Sequence, residues 1–515
     1  MNIEPESTLI EKSLDRVTKN VGALFVRLSF FIALFTFSHF TAKGQQFIKK
    51  ENFWRHAYLS ALDTIPKNSF EVLQLDYTDI DIWDNLQGNT SVSRVNTNTY
   101  SNYFPEQIGY LKNLQEIYIN CSAVSIHESI AILKNLEVIT VRRSVVSNID
   151  VLSAVSSLKK IYLIEVKEVP EGLFELDQIT HLKIEKSEGL DWQLIIQKLS
   201  RFEHLHTLEL IGNDITNLPE SIKELTSLRT LIIDKNVDLD WPSAIALINE
   251  LPLLKELSLK HNFGGGQSEL PKEISTLKQL ESLHLSDGQF EDGWVKIIAP
   301  LNLTHLIMSN CRIELLPESI GSLQSLTSLD LSDNPALREL PESFAQLTQL
   351  KILDLSRENS DSYWGSPLGR SISDDNFLHS ESLEILSRIS LEAISLAGHP
   401  YKKLPEEIFL LETLEELDLS FLNIRRIPKG IETLASLKYL KLESSNISRP
   451  RGPEYGEIPN YSYRPLSLPS SLLKLEALKI LDLNYTVITK RAHELINQLR
   501  KSRPDCIVYN RKGMY

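Results

Sequence analysis

At 515 residues the chain is long enough for three or four globular domains, but 84 of its residues are leucines, spaced too regularly for separate cores. Glycine, at 20 residues, excludes collagen-like and glycine-rich chains, and 42% apolar with 24% charged residues excludes disorder and a polytopic membrane protein. The 54 Lys+Arg against 68 Asp+Glu give a net charge of -14, which repels phosphate; the basic pairs Arg142-Arg143 and Arg425-Arg426 are too short to reverse this, so no nucleic-acid partner is expected.

Residues 28–42 contain no Lys, Arg, Asp or Glu and are bracketed by Arg27 and Lys43. This run is shorter than the roughly 20 residues a membrane-crossing helix needs, but it suits the apolar core of a secretory signal. Ala42 and Gly44 stand three and one residues before Gln45, so residues 1–44 read as a signal peptide cleaved after Gly44. Glu4, Glu6, Glu11 and Asp15 dilute the positive charge of this long leader, which keeps an uncleaved membrane anchor as the alternative. The expected location is therefore exported (periplasm, cell surface or medium), with no membrane span after cleavage. Residues 45–66, with Phe53, Trp54, Ala57, Tyr58 and Leu62 on one side, read as an amphipathic capping helix.

Residues 67–490 are dominated by one pattern, Leu-x-x-Leu-x-Leu-x-x-Asn. Good copies run from Leu205 to Asn213, Leu228 to Asn236, Leu254 to Asn262 and Leu326 to Asn334. Weaker copies begin at Leu114, Leu136, Leu158, Ile179, Leu280, Leu303, Leu350, Leu391, Leu414, Leu437 and Leu478. Phe70-x-x-Leu73-x-Leu75 opens the series, and a degenerate copy at Val92-x-x-Val95-x-Thr97 fills the following gap, giving 17 units. Many units continue with Leu-Pro and an apolar residue three positions later, as in Leu218-Pro219-Glu220-Ser221-Ile222 and Leu316-Pro317-Glu318-Ser319-Ile320.

Seventeen units in phase resemble the leucine-rich-repeat family, in its short class found in bacterial, Ras-suppressor-like and plant disease-resistance-like proteins. The resemblance implies an α/β solenoid, or horseshoe. A concave parallel sheet would be formed by the strands, with short helices or 3-10 turns on the convex side. Each strand would bury its leucines and present the alternate residues on the concave face. The closing Asn would satisfy main-chain groups left unpaired by the bend, a place Cys311 can share. Three units depart, at Leu190-Asp191-Trp192, Leu239-Asp240-Trp241 and Asp292-Gly293-Trp294, and each is followed by a helical apolar pattern. True α-helices are expected there, with tryptophan as packing. Residues 491–515 read as a carboxyl cap, a helix over 492–501 followed by a closing strand near Cys506.

No catalytic constellation is present: no GxSxG, HExxH, Walker loop or GxGxxG. Cys121, Cys311 and Cys506 are odd in number and widely spaced, which gives neither a disulfide framework nor a CxxC metal pair. His181, His284 and His305 fall on outward strand positions, with His261 beside the sheet. His284 and His305, in adjacent units, could approach each other, but solvation fits them better than metal ligation. No enzyme, cofactor or metal is expected.

What remains is a binding surface, an arc on the order of 80 Å at about 4.8 Å per strand. Its variable outward residues, Arg142, Tyr162, Lys183, Glu185, Glu209, Asp234, Lys260 and His284, are the candidate partner contacts. Two intervals, Leu350 to Leu391 and Leu437 to Leu478, are longer than a repeat and carry insertions near 357–385 and 447–467. Their Tyr363, Trp364, Tyr455 and Tyr461 are residue types that anchor interfaces. The sequence thus points to an exported, non-enzymatic scaffold for a protein or peptide ligand. A glycan-binding surface protein is the alternative, and an intracellular signalling regulator if the leader does not act.

Overall fold

A computed structural model describes residues 72–75, 92–97, 106–264, 269–291, 293–357, 378–443, 447–448, 462–463 and 465–510, all within the compact unit Arg55–Tyr515. The expected leader and the 45–66 segment expected as a capping helix, with Tyr363, Trp364, Tyr455 and Tyr461, lie outside the described residues. Among the described residues no helix is long and apolar enough to cross a membrane.

One parallel sheet of 18 strands runs in chain order from Val72–Leu75 to Ile507–Tyr509. Seventeen strands carry the 17 units, and the eighteenth is the closing strand. Each pairs with the next so that equivalent apolar residues align: Leu208, Leu231, Leu257, Leu283, Leu306, Leu329 and Leu353 form one continuous row. That row is at most 2% exposed. The inward leucines of neighbouring units therefore make one core the length of the solenoid, in which each unit contacts its neighbours.

The convex side follows local sequence. Pro219, Pro317, Pro341 and Pro405 each precede a five-residue 3-10 turn, Glu220–Glu224, Glu318–Ser322, Glu342–Gln346 and Glu406–Leu410. The apolar residue three positions after the proline (Ile222, Ile320, Phe344, Ile408) is fully buried. Where tryptophan replaces Leu-Pro, α-helices form instead: Trp192–Leu199, Trp241–Asn249 and Trp294–Ile298. Trp241 and Trp294 are buried, and Trp241 packs 5.3 Å from Phe263, centroid to centroid. At the far end helix Lys490–Ser502, capped by Thr489, buries Ala492, Leu495, Ile496 and Leu499, and Cys506 is buried after it.

Several elements go beyond the repeat pattern. The later part of the 357–385 segment holds helix Ser380–Leu386, whose Leu383 and Leu386 are fully buried. Ile447–Ser448 pairs antiparallel with Ser462–Tyr463 across the second insertion. Ala123–Ser125 and Val145–Ser147 form a small parallel ladder of their own.

Behind the sheet runs a buried ladder of polar side chains. Asn213, Asn236 and Asn262 each accept a main-chain N–H from the preceding unit (Ser187, Asn213 and Asn236, at 2.9, 3.1 and 2.6 Å). Each also donates to a carbonyl of that unit: Ile184, Leu210 and Ile233, at 2.7–2.8 Å. Other residue types take the same place. Ser144 and Ser187 accept from Cys121 and Val166, Cys311 Sγ donates to Leu285 O, and Thr486 donates to Leu442 O. Burial pushes the Cys311 thiol up to about 12, so it stays protonated, in keeping with a structural role.

His399 is a basic member of the ladder. Its Nε2 lies 2.7 Å from Leu355 O and its Nδ1 is buried without a partner. Burial pushes its pKa down to about 3. The native imidazole therefore stays neutral while the unfolded one takes a proton near its ordinary value of about 6.5, so stability is lost as pH falls from about 6.5 toward 3. His399→Asn should remove up to about 3 kcal/mol of the stability lost between pH 7 and 4. Urea unfolding at both pH values checks this, and an equal acid loss in both proteins would acquit His399.

Candidate binding face

Alternation within the strands His181–Glu185 and Thr207–Ile211 places Lys183 opposite Glu209 and Tyr162 opposite Lys183 on the concave face. The predicted contact residues of these units form one connected array. Tyr162 meets His181 edge-on at 5.2 Å, and His181 Nε2 lies 2.7 Å from Glu209 Oε1. Lys183 Nζ is 2.7 Å from Glu185 Oε2 and 3.9 Å from Glu209 Oε2. Burial pushes the Tyr162 hydroxyl up to about 12, so it remains a neutral donor.

Asp234, Lys260 and His284 form a second group. Asp234 Oδ1 accepts from Ser258 Oγ at 2.6 Å and Lys260 N at 2.9 Å, yet burial still raises its pKa to about 6. Lys260 Nζ reaches Asp287 at 3.2 Å. His284 Nε2 lies 2.8 Å from Ser286 Oγ, and burial lowers its pKa to about 4, so it is neutral near pH 7.

Solvation is therefore the wrong description of His181 and His284, which are partnered and largely covered. Nor do His284 and His305 face each other. His284 stands opposite Ile307 and His305 opposite Ser282, so the two rings belong to different rows. Among the described residues no group of His, Cys, Asp and Glu could hold a metal ion.

Arg142 belongs to an earlier unit and has a partner that strand alternation could not supply. Glu165 accepts from Arg142 at 2.8 Å and also pairs with Arg143; hydrogen bonding to Arg142 is the main cause holding the Glu165 carboxyl below its usual range. Arg143 and Glu165 lie just past their strands in left-handed backbone (φ 52 and 54). The readable signal was opposite charge at a separation of one repeat.

The leucine rich repeat family model matches residues 302–360. No curated protein matches the sequence significantly. Among solved structures, TLR13 in its ssRNA13 complex superposes with a TM-score of 0.56 at 18% identity, over 88% of this chain and 65% of that one. This chain thus spans just under two thirds of that structure. A leucine-rich-repeat protein of Leptospira interrogans gives a TM-score of 0.45 at 22% identity, over 79% of this chain and 93% of that one. An internalin of Listeria monocytogenes gives 0.35 at 17%, over 74% and 82%. At 18% identity the likeness to the TLR13 structure is one of fold. The repeated unit, the sheet it builds and the family match define a leucine-rich-repeat solenoid. The chain has the leucine-rich-repeat fold, and its residues 302–360 match the family's model.

Proposed function

We infer that the protein is a non-enzymatic scaffold that binds a protein or peptide ligand on its concave face. The carrying observation is the array Tyr162–His181–Glu209–Lys183–Glu185. Its charged and aromatic groups are held in fixed geometry on rigid strands, so a ligand meets them already ordered and little side-chain entropy is lost on binding. Asp234, Lys260, His284 and Arg142 extend the same face. Tyr363, Trp364, Tyr455 and Tyr461 are proposed as further contacts on their composition.

TLR13 is seen with an RNA. For this chain a polypeptide is favoured, because the net charge is -14 and Arg142, Lys183 and Lys260 are each already matched by a carboxylate. Export is proposed on the leader; amino-terminal sequencing of secreted material should begin at Gln45, and an intact Met1 would defeat it.

The binding reading is tested by immobilising the full chain and capturing partners from its native envelope or medium. The Tyr162→Ala, Lys260→Glu double variant should lose at least tenfold of the captured partner, while Lys278→Glu, off this face, should lose none. Capture unchanged by the double variant would sink the assignment of the site.

A further inference from the structure

The last units of the solenoid differ from the middle ones in what they leave uncovered. Across the final strands Tyr439, Ile480 and Ile507 stand opposite one another on the concave face, and Ile507 is 50% exposed. Tyr509, two residues on, is 42% exposed. At the edge of the same sheet Phe421 and Tyr485 occupy equivalent positions, 45% and 40% exposed, both in left-handed backbone (φ 60 and 58). Other units fill that position with Glu165, Lys186, Lys235, Asp287, Asn310 or Asp333. Single apolar side chains are ordinary on a surface, but gathered at one end of one sheet they mark a contact surface.

Charge indicates the occupant. Beside the apolar stripe runs a row of Asp418, Lys441 and Asp482, with Glu416 opposite Tyr439. Lys441 pairs with Glu416 and lies 3.9 Å from Asp418. Asp418 and Asp482 each accept a main-chain N–H, from Ser420 and Asn484, at 2.9 Å. Three carboxylates here face one ammonium. The stripe and the row are two residues apart along each strand, roughly 6.6 Å, which is also the spacing of same-side residues in an extended segment.

We propose that this carboxyl-terminal end is a second docking surface, separate from the middle face, for an extended polypeptide segment running along the strands, which sets an apolar side chain on the Tyr439–Ile480–Ile507 stripe and the Lys or Arg two residues away against Asp418 or Asp482. A lysine or arginine reaching the edge also lies over the ring of Phe421 or Tyr485.

The test is fluorescence anisotropy of the full chain with a labelled peptide of three Thr-Leu-Thr-Lys repeats, which puts Leu and Lys on one side, and with its Thr-Leu-Thr-Glu counterpart. The lysine peptide should bind saturably and the glutamate peptide at least tenfold more weakly. Ile507→Ser with Tyr509→Ser should weaken binding at least tenfold, and Asp418→Asn with Asp482→Asn at least threefold. Ile352→Ser, equally exposed elsewhere on the face, should change nothing. Should the double variants lose the native unfolding midpoint, Tyr485→Ser, at an exposed edge, serves in their place and should weaken binding at least threefold. Equal affinity for both peptides, or binding indifferent to these variants, overturns the proposal. A tenfold gain on removing Arg511–Tyr515 would assign the surface to the chain's own tail, and dimerisation abolished by the Ile507/Tyr509 variant would assign it to a second copy; either overturns it. The Tyr162→Ala, Lys260→Glu variant should bind the peptide normally, so failure of this surface and failure of the middle face are read separately.

Discussion

Asn236→Leu is expected to destabilise the solenoid by about 2–6 kcal/mol, since each of two buried N–H groups left without a partner costs about 1–3 kcal/mol. Asn236 Oδ1 accepts from Asn213 N and Ile215 N at 3.1 and 3.2 Å, and its Nδ2 donates to Leu210 O and Asp234 O at 2.8 and 3.0 Å. Leucine has nearly the same shape and fills the space, so packing is little changed and the two N–H groups dominate the loss. Asn334, which serves Cys311 N and Ile313 N in the same way, should behave alike. Asn135→Ala removes an exposed bond to Lys112 O and should cost no more than about 1 kcal/mol. Because units couple through neighbours, a weakened unit in the middle should also let the two ends unfold in separate steps. Urea unfolding followed by circular dichroism checks both; a midpoint unmoved by Asn236→Leu would remove the ladder from any account of stability.

The number and phase of the strands were legible because from Leu114 onward every unit buries the same three apolar positions, and the period survives at Val92 and Val95, which are both buried. The convex helices were legible from tryptophan followed by a 3.6-residue apolar pattern. The ladder was only partly so. Its chemistry asks for a short buried group that can accept or donate, and serine, threonine, cysteine or histidine can each do this, so Ser144, Thr486 and His399 do not advertise their place.

The binding face shows a different limit. Alternation correctly sent Lys183 and Asp234 outward from the core, but outward on an inner surface does not mean solvated: Lys183 is 7% exposed and Asp234 9%. Neighbouring strands about 4.8 Å apart bring side chains from successive units together and cover them. Burial and pairing there depend on residues a full repeat away, as with Glu165 and Arg142, and no local pattern carries that information.

Gly398 provides the sharpest single-methyl test. It has φ 74, and a Cβ built on it would lie 2.0 Å from Arg357 O, a main-chain atom that cannot move alone. Gly212 has the equivalent position in its own unit, with φ 59, but its Cβ would meet nothing closer than Lys235 Cβ at 3.7 Å. Left-handed backbone is common to both, and it is tolerated by Lys186, Lys235 and Asp287 in other units, so it does not by itself require glycine. Gly212→Ala should therefore cost about 1–2 kcal/mol. Gly398→Ala adds the overlap with Arg357 and should cost about 3–5 kcal/mol. The reason for the close approach lies in the neighbouring unit. Arg357 N still donates to Ala397 O at 2.8 Å, while its carbonyl is turned against Gly398. Gly398 is thus the clearance that admits the Arg357 carbonyl. Matched urea titrations of the two alanine variants decide it, and equal losses would show that backbone conformation, not the contact with Arg357, selects glycine at this position.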